Sequence, residues 1–375
     1  MKISIITRHA IANYGSLLQA IATEKLFQNL GLETEIINYI PEDEKVENLI
    51  NSYIKNSPFW SKNFITKSVY KILQKNNIYK MNEKFYKYQN EYLNLSKEEY
   101  NSLNDLKINK PKADIYCTGS DQDWGAIGCR KYDEAYFLEF LEKNDKAISY
   151  AASFGKNEIC FELKEELFHL TKKYKEILVR EDSAVDILKE CGVSNVKQVL
   201  DPTLLTSQHD WEDICINKRI IKENYILIYQ LHHSRKLDEY AKKIARLTGK
   251  KLIRINTSKY FKFKNGKFVY LPSPSEFLSY IKNADLILTD SFHGTCFSLI
   301  YNKNFIDILP SVTGTRISSI LKLLGLEERI TNGDNMTIVN KNIDYSKVNK
   351  ILGIEQEKSV KALKFALEKC GVKIE

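Results

Sequence analysis

No run of apolar residues in this chain approaches the roughly 18–20 that a membrane-spanning helix needs. The opening MKISIITRHA is apolar for only a few residues before Arg8 and His9. That is too short for the apolar region of a secretory leader, and no cleavage pattern follows, so a cytoplasmic location is expected. Cysteine is sparse and scattered. Cys117, Cys129, Cys160, Cys191, Cys215, Cys296 and Cys370 make no C-x-x-C pair, so neither a disulfide framework nor a zinc site is signalled, and small thiols are expected. Solenoid-type repeats and low-complexity linkers are absent as well. Acidic residues are scarce in one stretch. Between Lys45 and Asn90, Lys45, Lys55, Lys62, Lys67, Lys71, Lys75, Lys80, Lys84 and Lys87 are opposed only by Glu47 and Glu83, so this stretch carries most of the net charge of +8. The charge balance of the whole chain is mild, and no nucleic-acid partner is expected.

What is present reads as a globular α/β protein. With 375 residues, 43% hydrophobic and 28% charged, the chain is too long for one ordinary core, and two domains are expected. Short β-rich runs (KISIIT, ETEIINYI, ADIYCTG, AISYAASF, EILVRED, VKQVLDP) alternate with helical patterns, and near Asp201-Pro202 the series restarts with NYILIYQL, KKLIRIN, DLILTD and NFIDILP. Strands spaced by helices of ten to fifteen residues imply βαβ units and parallel sheets. The expectation is two Rossmann-like, doubly wound domains facing across a cleft. The first spans residues 1–205 and carries a Lys-rich helical insertion at 41–110. The second spans 206–345. A helical segment, 346–375, is a candidate to pack back on the first domain.

In open parallel sheets the ligand lies beyond the carboxyl ends of the strands. Polar residues gather at those ends in both halves: His9, Asn13 and Gly15; Asp121 and Asp123; Arg180 and Asp182; His232 and His233; Ser291 and His293; Thr313 and Arg316. His293 stands where an apolar strand turns into a helix. Ser291 or Thr295 can cap that helix, Gly294 permits close approach by a ligand, and its N-terminus suits an anion. A histidine there can shuttle a proton near neutral pH; equally, the turn can be purely structural. Arg180 ends an apolar strand, where a charge requires a partner, either Asp182 or a ligand. Of the adjacent His232 and His233, one is expected to face the cleft. Asp121 and Asp123 lack the further ligands a metal site needs.

Within the insertion, Trp60, Phe64, Ile65, Val69, Ile72 and Leu73 share one helical face, with Lys62, Lys67, Lys71 and Lys75 largely off it. The default for such a helix is to pack on its own domain through that stripe. The alternative is a peripheral place on the inner face of an anionic membrane.

In order along the chain, IITRHAIANYGSLLQA, CTGSDQDW, ISYAASFG, VREDS, VLDPTLL, ADLILTDSFHGTCFSLIYNKNF and RISSILKLLGL resemble the polysaccharide pyruvyl transferase family. The insertion after INYIPED carries no part of the resemblance. It implies a GT-B-like fold and transfer of a pyruvyl group from phosphoenolpyruvate to two hydroxyls of a sugar or lipid-linked glycan, closing a cyclic ketal with no cofactor or metal. Arg180, in VREDS, falls on the family arginine that binds the donor. His293, in SFHG, falls on the histidine of an RLHA-like motif implicated in binding or acid catalysis. Two residues earlier the best-studied members carry arginine where this chain has Ser291, and Arg316, in GTRISSIL, is the substitute the sequence offers.

The residue types fit that chemistry independently. Two arginines can hold a carboxylate and a phosphate in the forked way that lysine cannot. The donor side is therefore expected to be Arg180, Arg316, Ser291, Gly294 and Thr295, with His293 as acid. His9, Asn13, Gly15, Asp121 and His232 are candidates for the acceptor side or the base. Two rivals remain at this stage, a glycosyltransferase using a nucleotide sugar and an inactive sugar-binding homologue, because a fold does not fix a function.

Overall fold

A computed structural model describes residues 1–55, 60–125, 131–216, 218–259, 262, 264–310 and 314–373. Cys129 and Thr313 lie outside the described residues. The first half contains β1 (Lys2–Ile6), α1 (Tyr14–Gln28), β2 (Glu33–Tyr39), α2 (Val46–Lys55), α3 (Phe64–Tyr92), β3 (Leu95–Tyr100), α4 (Leu103–Ile108), β4 (Ile115–Thr118), β5 (Ala147–Ala152), α5 (Lys164–Thr171), β6 (Tyr174–Val179), α6 (Asp182–Glu190) and β7 (Val196–Gln198). Its sheet runs β3-β2-β1-β4-β5-β6-β7, every neighbour parallel. Two short helices, α7 (Pro202–Leu205) and α8 (Gln208–Ile214), lead to the second half. There follow β8 (Tyr225–Tyr229), α9 (Arg235–Thr248), β9 (Lys251–Asn256), β10 (Lys267–Tyr270), α10 (Pro274–Lys282), β11 (Leu286–Thr289), α11 (Phe292–Ile300), β12 (Phe305–Asp307), α12 (Thr315–Leu324) and α13 (Tyr345–Lys369). The second sheet runs β10-β9-β8-β11-β12, again parallel.

Central strands such as β4, β5, β8 and β11 are buried at every position, because helices cover both faces of each sheet. Each sheet reverses its winding once, between β1 and β4 and between β8 and β11. Crevices open at such points, and the four loops that follow these strands carry Arg8, Asp121, His232 and Ser291.

One apolar core runs through both halves. Tyr14 of α1 is its hinge pin. Its ring stacks on Phe277 of α10 at 4.5 Å between centroids, and its hydroxyl donates to the Pro272 carbonyl at 2.5 Å. Helix α13 returns to the first half, where the Ser359 hydroxyl accepts from the Leu200 N–H at 2.9 Å and Lys369 pairs with Glu176 at 2.6 Å.

Three expectations need correction. The 41–110 segment is not helical throughout, since β3 pairs with β2 at the edge of the first sheet. The stripe on α3 does not pack on the domain: Phe64 is 82% exposed, Ile65 71%, Ile72 77% and Leu73 59%. The opposite side of the helix faces inward, with Ile78 and Tyr70 packed against Ile50 and Ile54 of α2. Cys160, read as a small thiol, is disulfide-bonded.

Candidate active site

The loops at the two switch points enclose a cavity of ≈ 280 Å³, lined among others by Asn13, Ser16, Asp121, His232, His293 and Arg316. Asn13 sits at the N-cap of α1, its side chain accepting from the Gly15 N–H at 2.7 Å. Ser291 does the same for α11, accepting from the Gly294 N–H at 3.3 Å. The two helix starts thus face one another across the halves. A Cβ on Gly15 would fall 2.2 Å from Nδ1 of His293, so the imidazole rests directly on the Gly15 backbone. The requirement for glycine in ANYGS therefore comes from the opposite domain.

Arg180, just past β6, is buried and donates from one terminal nitrogen to Asp201 at 2.7 Å and to the Ser120 hydroxyl at 3.2 Å. Of the two partners expected for it, Asp182 or a ligand, Asp182 is not the one: it points to Lys322, 3.4 Å away. Asp201 also lies 3.7 Å from Nε2 of His293, beyond hydrogen-bond reach. Burial opposes ionisation of Asp201. His293, Arg180 and the Thr203 hydroxyl outweigh it and hold the carboxyl far below the usual range. Asp121 is likewise ionised below its usual range: burial opposes, Arg180, His293 and Arg316 prevail, and the Ser16 hydroxyl donates to it at 2.7 Å.

Arg316 has no carboxylate so near. Asp121 is 4.0 Å away. Burial, then repulsion from Arg180, lowers the guanidinium to about 10. Both guanidiniums stand against the Phe292 ring, Arg180 at 4.6 Å and Arg316 at 5.6 Å from its centroid. Four buried donor atoms here have no hydrogen-bond acceptor among the described residues: Nε and one terminal nitrogen of Arg180, Nε of Arg316 and Nε2 of His293. Buried donors without acceptors are rare, and a cluster of them marks where an anion or ordered water belongs.

The remaining candidates divide. His232 lines the cavity, with Nδ1 3.3 Å from Asp290; Asp290 also accepts from the His232 N–H at 2.9 Å and the Leu231 N–H at 2.6 Å. His9 does not reach the cavity. It is buried in the first half, with Nδ1 against the Thr7 carbonyl and Nε2 against Asn38, both at 3.2 Å, and burial lowers its pKa. Gly294 does not serve ligand approach: a Cβ there would lie 2.4 Å from the Thr289 hydroxyl and 3.1 Å from Tyr229, so the glycine lets α11 pack on its own sheet. The Thr295 hydroxyl shares its hydrogen between Asp307 at 3.0 Å and the Ser291 carbonyl at 3.2 Å, and it does not line the cavity. Asp201, Asp290, Ser120 and Phe292 were not singled out from the sequence. All four lie in motifs given above, VLDPTLL, CTGSDQDW and ADLILTDSFHGTCFSLIYNKNF, and a buried arginine's need for a carboxylate is the signal that could have found Asp201.

Two parallel α/β halves facing across a cleft at both switch points define the GT-B class. The chain belongs to the polysaccharide pyruvyl transferase family, whose model matches residues 13–310, and is thus a transferase of polysaccharide biosynthesis. No curated protein sequence matches it. Among solved structures it is similar to the UDP-GlcNAc 2-epimerase of Methanocaldococcus jannaschii in complex with UDP-GlcNAc and UDP, with 16% identity, a TM-score of 0.52, and coverage of 97% of this chain and 100% of that one. It is also similar to S. aureus MnaA with UDP, with 12% identity, a TM-score of 0.54, and coverage of 99% and 98%. At such identities the likeness is one of fold.

Proposed function

We propose that the enzyme transfers the pyruvyl group of phosphoenolpyruvate to two hydroxyls of a sugar in a cell-surface polysaccharide precursor, releasing phosphate. The observation that carries this reading is the cluster of buried, unpartnered donors on Arg180, Arg316 and His293, in a member of this family. A donor bearing a carboxylate and a phosphate answers that cluster. Arg316, with no carboxylate in hydrogen-bond reach, is the main anchor. Arg180, tied to Asp201 at one end, offers its remaining edge. The capped start of α11 adds its dipole.

His293 gives a proton from Nε2 to the methylene carbon, and that nitrogen is re-protonated from solvent after turnover. The central carbon becomes cationic, and a sugar hydroxyl adds to it. Its proton passes to Nε2 of His232, which Asp290 orients through Nδ1. The C–O bond to phosphate breaks, the second hydroxyl closes the ketal, and its proton leaves with the phosphate. Each proton-transfer group contributes about 10²–10⁴-fold. Phosphoenolpyruvate is a co-substrate, and these steps draw on no cofactor. A wider groove of ≈ 560 Å³, lined by Glu44, Tyr79, Tyr86 and Gln89 among others, adjoins the cleft across the Arg8–Glu44 pair and leaves room for the rest of a glycan.

The test is phosphate release from phosphoenolpyruvate over a panel of glycan acceptors, run in heavy water. One deuterium is expected in the methyl group of the transferred pyruvyl. His293→Ala should lose the maximal rate while keeping donor affinity. Transfer of a glycosyl group from a nucleotide sugar, with no phosphoenolpyruvate consumed, would replace this reading.

A further inference from the structure

We propose that the first half of α3 docks the enzyme on an anionic lipid bilayer. Phe64, Ile65, Val69, Ile72 and Leu73 form a continuous apolar face, and each is exposed, Val69 least at 41%. A helix in a globular protein normally turns such a face inward. Here the inward face is supplied by Tyr70, Gln74, Ile78 and their neighbours, and the more apolar side is left outside. Phe64 to Leu73 span about 15 Å along the helix axis, enough to lie along a membrane surface.

The charge around the stripe selects the occupant. Lys67, Lys71 and Lys75 are exposed and four residues apart, which makes a row along one edge of the apolar face; Lys62 stands exposed just before the helix. No aspartate or glutamate occurs from Trp60 to Asn82. A second copy of this chain on the same face would bring lysine against lysine. An anionic headgroup layer complements both features, since the lysines meet lipid phosphates while the apolar side chains enter the boundary beneath them. The C-terminal half of the same helix lines the wider groove beside the cleft through Tyr79, Tyr86 and Gln89, and the Gln89 amide donates to the His9 carbonyl at 2.9 Å. The docking face thus stands about 30 Å from Gln89 along one helix. This surface is independent of the reaction proposed above.

Co-sedimentation of the full chain with vesicles is the test, using phosphatidylcholine alone and phosphatidylcholine mixed with phosphatidylglycerol. Binding is expected only to the mixed vesicles and should fall as salt is raised. Lys67→Glu/Lys71→Glu/Lys75→Glu should weaken it by at least about 100-fold, at roughly fivefold per lysine. Ile65→Ser/Ile72→Ser should abolish it, with the circular dichroism spectrum unchanged because both positions are exposed. No binding, equal binding to neutral vesicles, or unchanged binding by both variants would overturn the proposal. So would a dimer in sedimentation velocity that Ile65→Ser/Ile72→Ser dissociates, since the face would then serve a second copy.

Discussion

Gly15 is the residue whose role is most easily underestimated. In the sequence it looks like an ordinary glycine at a strand-to-helix turn. In the fold, its missing side chain is the seat of the His293 imidazole from the other half. Gly15→Ala would push a methyl group against the imidazole and displace it toward the cavity. A displacement of about 1 Å at a reacting group can cost about 10²-fold in rate. The variant is expected to lose some stability and, at a temperature where it remains folded, about that factor in kcat for phosphate release; a rate equal to the parent's would show that His293 needs no such seat. Asp201 gives a second test at this scale. It gives up its proton more readily in the folded chain than in the unfolded one, where the ordinary value is 3.8. Its stabilising contribution is therefore present above that value and is lost as the pH falls below it. Asp201→Asn should be clearly less stable than the parent near about pH 6, because Arg180 loses its buried partner. The gap in urea midpoint should be full above about pH 5 and narrow progressively as the pH falls below 3.8. A gap that stays constant would mean that the carboxylate's charge is not what stabilises the site.

At the scale of elements, α11 and the strand beneath it set the position of the site. Gly294 is where the helix meets Thr289 and Tyr229, and two effects of Gly294→Ala oppose each other. Alanine in a helix is favoured over glycine by about 1 kcal/mol. Overpacking against a buried strand costs about 1–3 kcal/mol. With the added carbon only 2.4 Å from the Thr289 hydroxyl, the clash dominates, and a net loss of stability is expected in thermal unfolding. A raised melting temperature would contradict the packing described. The elements also divide by how clearly the sequence announces them. Central strands such as YILIY and LILT are apolar throughout because helices cover both their faces, and they stand out. The edge strands β3 (LSKEEY) and β10 (KFVY) went unread, since one side of each meets solvent and the apolar signal is diluted. The stripe on α3 was legible as a pattern, but periodicity reports only that an apolar face exists. It does not say that the inward side would instead be built on Tyr70 and Ile78.

At the scale of the whole molecule, the cleft is made by the meeting of two halves, and this is why part of it could not be read along the chain. Arg180, His293 and Arg316 each follow a strand, and that position alone marks them. Which carboxylate faces which arginine depends on how β6, α7 and α11 come together, so Asp201 displaced Asp182, and His9 turned inward to Asn38. Tyr14 fixes the two halves by stacking on Phe277, so the donor cluster is set in place before any ligand arrives. The most direct test of the account is a calorimetric titration of the enzyme with phosphoenolpyruvate and, separately, with UDP-GlcNAc. Phosphoenolpyruvate should bind, Arg316→Ala should weaken it by at least about tenfold, as expected for a lost charge-assisted pair of about 1.5–3 kcal/mol, and UDP-GlcNAc should not compete. Tight binding of UDP-GlcNAc with none of phosphoenolpyruvate, or full affinity for phosphoenolpyruvate in Arg316→Ala, would contradict it.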